Sequence, residues 1–420
     1  MKICLVGGGV IGVVSAYYLA RDGHVVDVIE AHDGPAQETS LANGAQLSYS
    51  YVAPLADPSV LPKLASWILR PTSPMRFMPQ LDWRQWAWCL AFLRACQSRI
   101  VRQNTAQLFG LGQLSCHHLH AVLEQESLSF NHQKNGKLVI YREAGAYANA
   151  QRQLDFLASL GGQQQALDAS ACVALEPALS PLAPHLVGGI YTPSEETGDC
   201  HAFTSGLARA AAEKYGVRFH YGRRVNGFIQ NNHRISAACT DDGEIQADAF
   251  VVAAGVCSQS LLLKLGLNPE LYPLIGYSLT APVKPDHHLA PRINITDLHH
   301  KIVYAPLGDQ LRVAGMVDLI GRRLKPDERR IDLLKRQATE TFPNAADFMQ
   351  STSWCGARPA TPDSKPIIGA TPYKNLWLNI GHGALGFTLA CGSAALLADL
   401  IAARPAPLDS SAFAFSKRRA

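Results

Sequence analysis

No Cys-x-x-Cys pair and no cysteine–histidine spacing of the zinc-binding kind occurs in the 420 residues. The ten cysteines are scattered, at 4, 89, 96, 116, 172, 200, 239, 257, 355 and 391, which excludes a disulfide framework and a dithiol redox pair as organising features. Charge is scarce, at 17 %, against 47 % hydrophobic residues, a balance that a disordered chain does not have. There is no internal repeat and no low-complexity tract. Beyond the N-terminal stretch no window reads as a clean membrane span, and no small-residue cleavage site precedes Arg21 and Asp22. The expectation is a packed cytoplasmic protein of two or three domain-sized units, no bound metal, and reduced cysteines.

The net charge of +4, with a pI near 8.5, does not by itself call for nucleic acid. Basic residues do cluster, at Arg322, Arg323, Lys325, Arg329, Arg330, Lys335 and Arg336, then at Lys417, Arg418 and Arg419. The first cluster lacks the interleaved aromatics of a nucleic-acid stripe. A solvated helix face and a frayed tail are the favoured reading, and attraction to anionic lipid is the sharper alternative.

What is present begins with ICLVGGGVIGVVSAYYLA, an uncharged run over residues 3–20. Its length suggests a span or a signal peptide, but four glycines (Gly7, Gly8, Gly9 and Gly12) weaken any helix through it. A nucleotide-binding unit accounts for them. Residues 2–6 read as a buried parallel strand, residues 10–22 as a helix closed by Gly23, and residues 24–29 as a second strand ending on Glu30. Gly7 allows the tight turn, Gly9 lets the backbone approach a pyrophosphate, and Gly12 lets helix and strand pack closely. Val10 and Ile11 open the helix, where free amides and the dipole favour negative charge. Glu30, followed by Ala31, can accept from both ribose hydroxyls and would repel a 2′-phosphate, so NAD or FAD is expected rather than NADP.

A polar loop, ETSLANGAQLSYSYVAP, follows, and residues 57–135 read as mostly helical, divided at first by prolines. In LDWRQWAWCLAFLRAC, Trp83, Trp86, Leu90 and Leu93 share one helical face and Trp88 and Phe92 a neighbouring one. A core or domain interface is the expected use, a membrane foot the alternative. Strands are expected at 136–141 and 186–193, a helix at 144–160, and another helix capped by Asp199. Short strands then run to Ala253, Ala254 and Gly255. Strands of a second sheet follow, then a helix over IDLLKRQATETFP and, after LWLNI, a glycine-rich turn entering a last helix. The two glycine-rich ends are expected in one domain, split by an insertion.

VGGGVIG, ETSLANGAQLS, EETGDCHAFT, GYSLT, WCGARPATPDSKPIIG and LWLNIGHGALGFTLACGS together resemble the D-amino-acid oxidase-like FAD-dependent oxidoreductases, over nearly the whole chain. Within them the resemblance is to the small-subunit type of D-amino acid dehydrogenases. It implies an α/β chain: a Rossmann-like FAD-binding domain (1–56, 190–268, 355–405), an inserted substrate domain of mixed sheet and helices (57–189, 269–354), and a tail (406–420). It implies non-covalent FAD with Ser40, Asn43, Gln46 and Leu47 along the pyrophosphate and flavin, Val225 at the adenine, and Ala254 and Gly255 near the ribityl chain. Gly381, Gly383, Ala384, Leu385, Gly386 and Thr388 would face the pyrimidine end. Cys355 would lie near the flavin. The chain has Asn43-Gly44-Ala45 where relatives commonly read Asn-Ala-Gly, and residues 57–135 match loosely.

In the GxRP motif of this superfamily the arginine, here Arg358, binds the substrate carboxylate; a salt bridge with Asp363 is its bland alternative. An arginine presents a planar fork that lysine cannot match. The implied reaction is oxidative deamination of a D-amino acid to a 2-oxo acid and ammonia, with electrons passed to a quinone or other respiratory acceptor at the inner face of the cytoplasmic membrane. Tyr51, Tyr277 and Tyr304 are candidate pocket walls, and His382 a candidate at the flavin edge. The alternatives are a cyclic or N-alkyl amino acid (hydroxy-D-proline, D-proline, sarcosine), possible also for an oxidase, and an RNA-modification module.

Overall fold

A computed structural model of the chain describes residues 1–63, 72–284, 289–321 and 326–415. The glycine-rich start folds as strand Lys2–Val6, helix Val10–Arg21 and strand Val25–Ile29, the two strands parallel. The first strand has a second parallel neighbour, Ala249–Val252, which in turn pairs with Leu376–Ile380. Arg218–His220 and the antiparallel Ile367–Ala370 complete a six-stranded sheet. Segments from the beginning, middle and end of the chain thus share one sheet.

Alternation in the first strand divides two cores. Ile3 and Leu5 face one made by helices Val10–Arg21, Ser98–Gln125, Cys200–Tyr215 and Gly386–Ile401. Cys4 and Val6 face another, closed by the three-stranded sheet of Val225–Asn231, Arg234–Thr240 and Gly243–Gln246. The stretch Gly383–Ile401 is long and apolar enough to cross a membrane, contrary to the sequence reading, but it is mostly buried as a core helix. Asp199 caps its helix by accepting from the Ala202 amide at 2.9 Å.

The second sheet has nine strands, and its long antiparallel ladder is Thr352–Ala360, Tyr272–Pro282, Gln310–Leu319 and Ile302–Leu307. Two expected boundaries shift. Strands Gly188–Thr192 and Thr352–Ala360 lie wholly in this second sheet, although residues from 190 and from 355 were expected in the first unit. Helix Ser98–Gln125, expected in the second unit, packs on the nucleotide-type core through Leu108, Leu111, Leu119 and Val122.

The tryptophan helix, Trp83–Ala95, also departs from expectation. Trp88 and Phe92 are buried, and the Trp88 indole donates to the Ala360 carbonyl at 2.9 Å. The other face is bare: Trp83 is 64 % exposed and Trp86 51 %, with Leu90 and Leu93 beside them. Among the basic residues, Arg322, Arg323, Lys325, Lys417, Arg418 and Arg419 lie outside the described residues. Arg330 is buried rather than solvated, because it donates to Asp318 and to the carbonyls of Ser73 and Pro74.

Candidate active site

Between the two sheets runs one cleft, a cavity of about 520 Å³. Its nucleotide end is built by steric necessity. Gly7 has φ +110°, and a Cβ there would lie 2.6 Å from the Ala253 carbonyl oxygen. A Cβ on Gly12 would lie 1.9 Å from the Gly7 carbonyl oxygen, so that glycine seats the helix on the turn and does not face the cleft. Gly9 is different: only the Ser40 hydroxyl, at 3.5 Å, would meet its Cβ. The space in front of it is open, as a close-lying phosphate requires. Ser40 accepts from the Val10 amide at 3.1 Å, and the regular helical ladder starts only at Val13, whose amide donates to the Gly9 carbonyl at 2.9 Å. Glu30 is fixed by the Gly8 amide at 2.6 Å and the His32 amide at 2.9 Å.

Of the residues expected at a cofactor, Gly7, Gly9, Val10, Ile11, Glu30, Ala31, Ser40, Asn43, Gln46, Val225, Ala254 and Gly255 line this cleft. So do Gly381, Gly383, Ala384, Leu385, Gly386 and Thr388 at the mouth of the last helix. Leu47 does not; strand alternation turns it into the helical core while Gln46 and Ser48 face the cleft. The loop carrying Asn43 is tied to the second sheet, since Arg312 donates to the Asn43 carbonyl at 2.9 Å and Ser278 to that of Ala42 at 2.6 Å. The altered order Asn43-Gly44-Ala45 has a visible cost. Ala45 sits at φ +56°, a region that favours glycine.

The opposite wall explains WCGARP. Trp354, Gly356 and Arg358 alternate toward the cleft. The Trp354 indole lies across Gly356, where a Cβ would overlap the ring. The Arg358 guanidinium lies across Gly276 of the neighbouring strand, where a Cβ would be 2.6 Å from Cζ. Arg358 lies deep in the molecule yet is reached from the cleft, and it donates to the Met316 carbonyl at 3.2 Å. Met316, at φ +62°, sits where the ladder between Gln310–Leu319 and Tyr272–Pro282 is irregular. Burial lowers the pKa of Arg358, and Asp318 opposes that at a distance. Asp363 is not its partner; that carboxylate lies 3.9 Å from the Lys365 ammonium.

The same alternation corrects two expectations. Cys355 and Tyr304 point to the far side of the sheet, into the core covered by helix Glu328–Thr341. Tyr304 is fully buried against Phe342 and is no pocket wall, and Cys355 has no access to a cofactor in the cleft. Tyr277 borders the cleft, but its hydroxyl is committed to Asp318 at 3.1 Å. Asp318 is also held by Arg76 at 2.5 Å and Arg330 at 2.8 Å. His382 borders the cleft too, but its Nε2 lies 3.1 Å from the Ser393 hydroxyl, and burial pushes its pKa down to about 3. It is a neutral structural imidazole.

Tyr51 keeps its place, and it reveals a residue that the sequence reading missed. Its ring lies 4.1 Å from the ammonium of Lys137, which also borders the cleft. The missed signal was a lysine beginning an otherwise apolar strand, Lys137–Tyr141. Elsewhere Cys116, His120 and Glu196 approach within 4.8 Å of one another. Both Glu196 oxygens are already engaged, by His120 at 2.6 Å and His132 at 2.8 Å, so the group stands as a satisfied buried carboxylate.

A family model described as DAO, FAD dependent oxidoreductase, matches residues 2–400. The chain belongs to the DAO family. It is an FAD-dependent oxidoreductase, and the glycine cradle, the unblocked first-turn amides and Glu30 suit the adenosine and pyrophosphate of FAD. Among DAO relatives, D-amino acid dehydrogenase 2 of Pseudomonas aeruginosa is 45 % identical over 98 % of this chain and 97 % of its own length. The protein of the same name from Ralstonia nicotianae is 43 % identical over 99 % and 100 %. Solved DAO-like folds include glycine oxidase from Bacillus cereus, with a TM-score of 0.76 at 20 % identity over 99 % of each chain. L-Proline dehydrogenase from P. horikoshii has a TM-score of 0.76 at 16 % identity, over 99 % of this chain and 96 % of that one.

Proposed function

We propose that this chain oxidises D-amino acids to 2-oxo acids and ammonia and passes the electrons to a quinone or other respiratory acceptor. The observation that carries the reading is Arg358, a guanidinium on the cleft wall with no carboxylate paired to it among the described residues. A buried cation without a counter-ion is unfavourable, and an incoming carboxylate supplies one. The Gly276 and Gly356 surfaces hold the fork and the Trp354 ring rigid, which fixes the orientation of what binds.

Bound FAD supplies the two-electron acceptor chemistry. The chain orients the amino acid by its carboxylate on Arg358. Neither His382, a neutral imidazole, nor Tyr277, bonded to Asp318, is placed as a base, and the reading takes binding to select the neutral amine. The names of the relatives at 43–45 % identity favour D-amino acids over the cyclic and N-alkyl alternatives. Anaerobic titration of the FAD-loaded protein with paired D- and L-amino acids, including both prolines, tests this. D-forms alone should bleach the flavin absorbance, with recovery fast on adding a quinone and slow in air. Bleaching by L-forms, or by none, would overturn the substrate class.

Contact with a membrane rests on the bare face of Trp83, Trp86, Leu90 and Leu93, flanked by Arg84 and Arg94. Replacing Trp83 and Trp86 by serine should weaken binding to anionic liposomes several-fold and leave flavin content unchanged. Equal sedimentation with liposomes would remove that face from consideration.

A further inference from the structure

Lys137 and Glu195 are both buried, 2 % and 0 % exposed, and neither is ion-paired at contact distance among the described residues. The Lys137 ammonium donates to the Ser48 hydroxyl at 3.0 Å and lies under the Tyr51 ring. Glu195 accepts from the Ser50 amide at 2.7 Å through one oxygen, and its other oxygen has no hydrogen-bond partner. Burial lowers the lysine pKa and raises the glutamate pKa, and each charge partly offsets the shift of the other. Leaving a lysine and a glutamate so incompletely satisfied is costly. It calls for a use.

Position narrows that use. Five strand spacings separate Lys137 from the strand of Arg358, roughly 24 Å along the sheet. A small amino acid held on Arg358 does not reach Lys137. The lysine is linked instead to the mouth of the last helix: Ser48, which takes its hydrogen bond, donates its own amide to the Thr388 hydroxyl at 3.1 Å. That mouth is where the cleft reading above puts the pyrimidine end of the flavin, and the inference rests on that reading.

We infer that Lys137, acting through the cleft wall formed by Ser48 and Tyr51, is the cation that sets the reduction potential of the bound flavin, with Glu195 as its buried counter-charge. Two electrons taken up with one proton leave the ring system one unit more negative. A fixed positive charge nearby favours that state, adding to the amides at the helix mouth, and a negative charge behind it tempers the effect. Lys137 is therefore a positioning charge rather than a group that touches substrate.

The test is the reduction potential of the FAD-loaded protein, with sulfite affinity as a second readout. Lys137→Met should bind sulfite at least tenfold more weakly, equivalent to about 30 mV lower potential for a two-electron couple. Lys137→Arg should restore most of it. Glu195→Gln should shift the potential the other way. If Lys137→Met fails to fold, the charge-neutral double variant Lys137→Met/Glu195→Gln still reports, and its potential should fall below that of Glu195→Gln. Lys137→Met with full FAD content and unchanged potential and sulfite affinity would overturn the assignment. So would an unchanged potential with altered KM for D-amino acids carrying acidic side chains, which would make Lys137 a substrate contact. A wild-type chain that takes up no FAD would overturn the reading of the cleft and this assignment with it.

Discussion

Arg358→Ala is expected to keep its FAD and lose its substrate. Truncating one partner of a buried, hydrogen-bonded charge pair costs about 2–5 kcal/mol, which is roughly a 30- to 5,000-fold loss in affinity. Spectral titration of the oxidised variant with a substrate-like carboxylate measures it directly. Arg358→Lys should recover little, because a point charge cannot reproduce the fork across Gly276. The sharper part concerns the empty protein. If Arg358 served structure, its removal would destabilise the fold. Among the described residues its only hydrogen bond is to the Met316 carbonyl, and Asp318 keeps Arg76 and Arg330 without it. Thermal stability of Arg358→Met should therefore be unchanged or raised. A fall of several degrees in Tm, with substrate affinity intact, would return Arg358 to a structural role.

The glycines of the first turn should separate into two behaviours. Gly12→Ala places a methyl on the Gly7 carbonyl at 1.9 Å, backbone against backbone, and neither side can yield without lifting the helix from the strand. Overpacking and the lost seat together should cost upward of about 3 kcal/mol, and soluble protein should largely disappear. Gly9→Val meets only the Ser40 hydroxyl and should fold, with near-native far-UV circular dichroism, yet purify without colour. A yellow Gly9→Val protein would remove this turn from FAD binding. A stable, yellow Gly12→Ala protein would show that the helix can shift at little cost.

The contrast shows what the sequence carried. The Gly12 collision is legible in a string of letters, because it comes from Gly7, five positions away. The strand–turn–helix–strand unit and Glu30 were legible for that reason. The place of Arg358 on the cleft wall was legible too, through the proline and glycines around it. Parity was harder. Tyr304 and Val303 are neighbours on one strand, and nothing local says which of them meets the cleft; Gly44 beneath Val303 decides it. Lys137 looked like an ordinary strand start, and its importance appears only when Ser48, Tyr51 and Glu195 converge on it from distant segments. Helix Ser98–Gln125 was given to the wrong unit because an apolar helix face does not name its partner.

The central sheet also has a consequence for how the protein is made. Strand Lys2–Val6 leaves the ribosome well before its partner Ala249–Val252, which follows some 246 residues later. At synthesis rates of roughly 5–20 residues per second, the first strand waits about 12–50 s for that edge. The helix Gly386–Ile401 that buries helix Val10–Arg21 comes later still. During that interval a largely apolar, strand-forming segment has no neighbour on one side, and the whole turn that will hold FAD is unsupported. Nascent chains halted before residue 376 should hold this segment open to chaperones, and the cofactor can be acquired only after the last helix has closed the sheet.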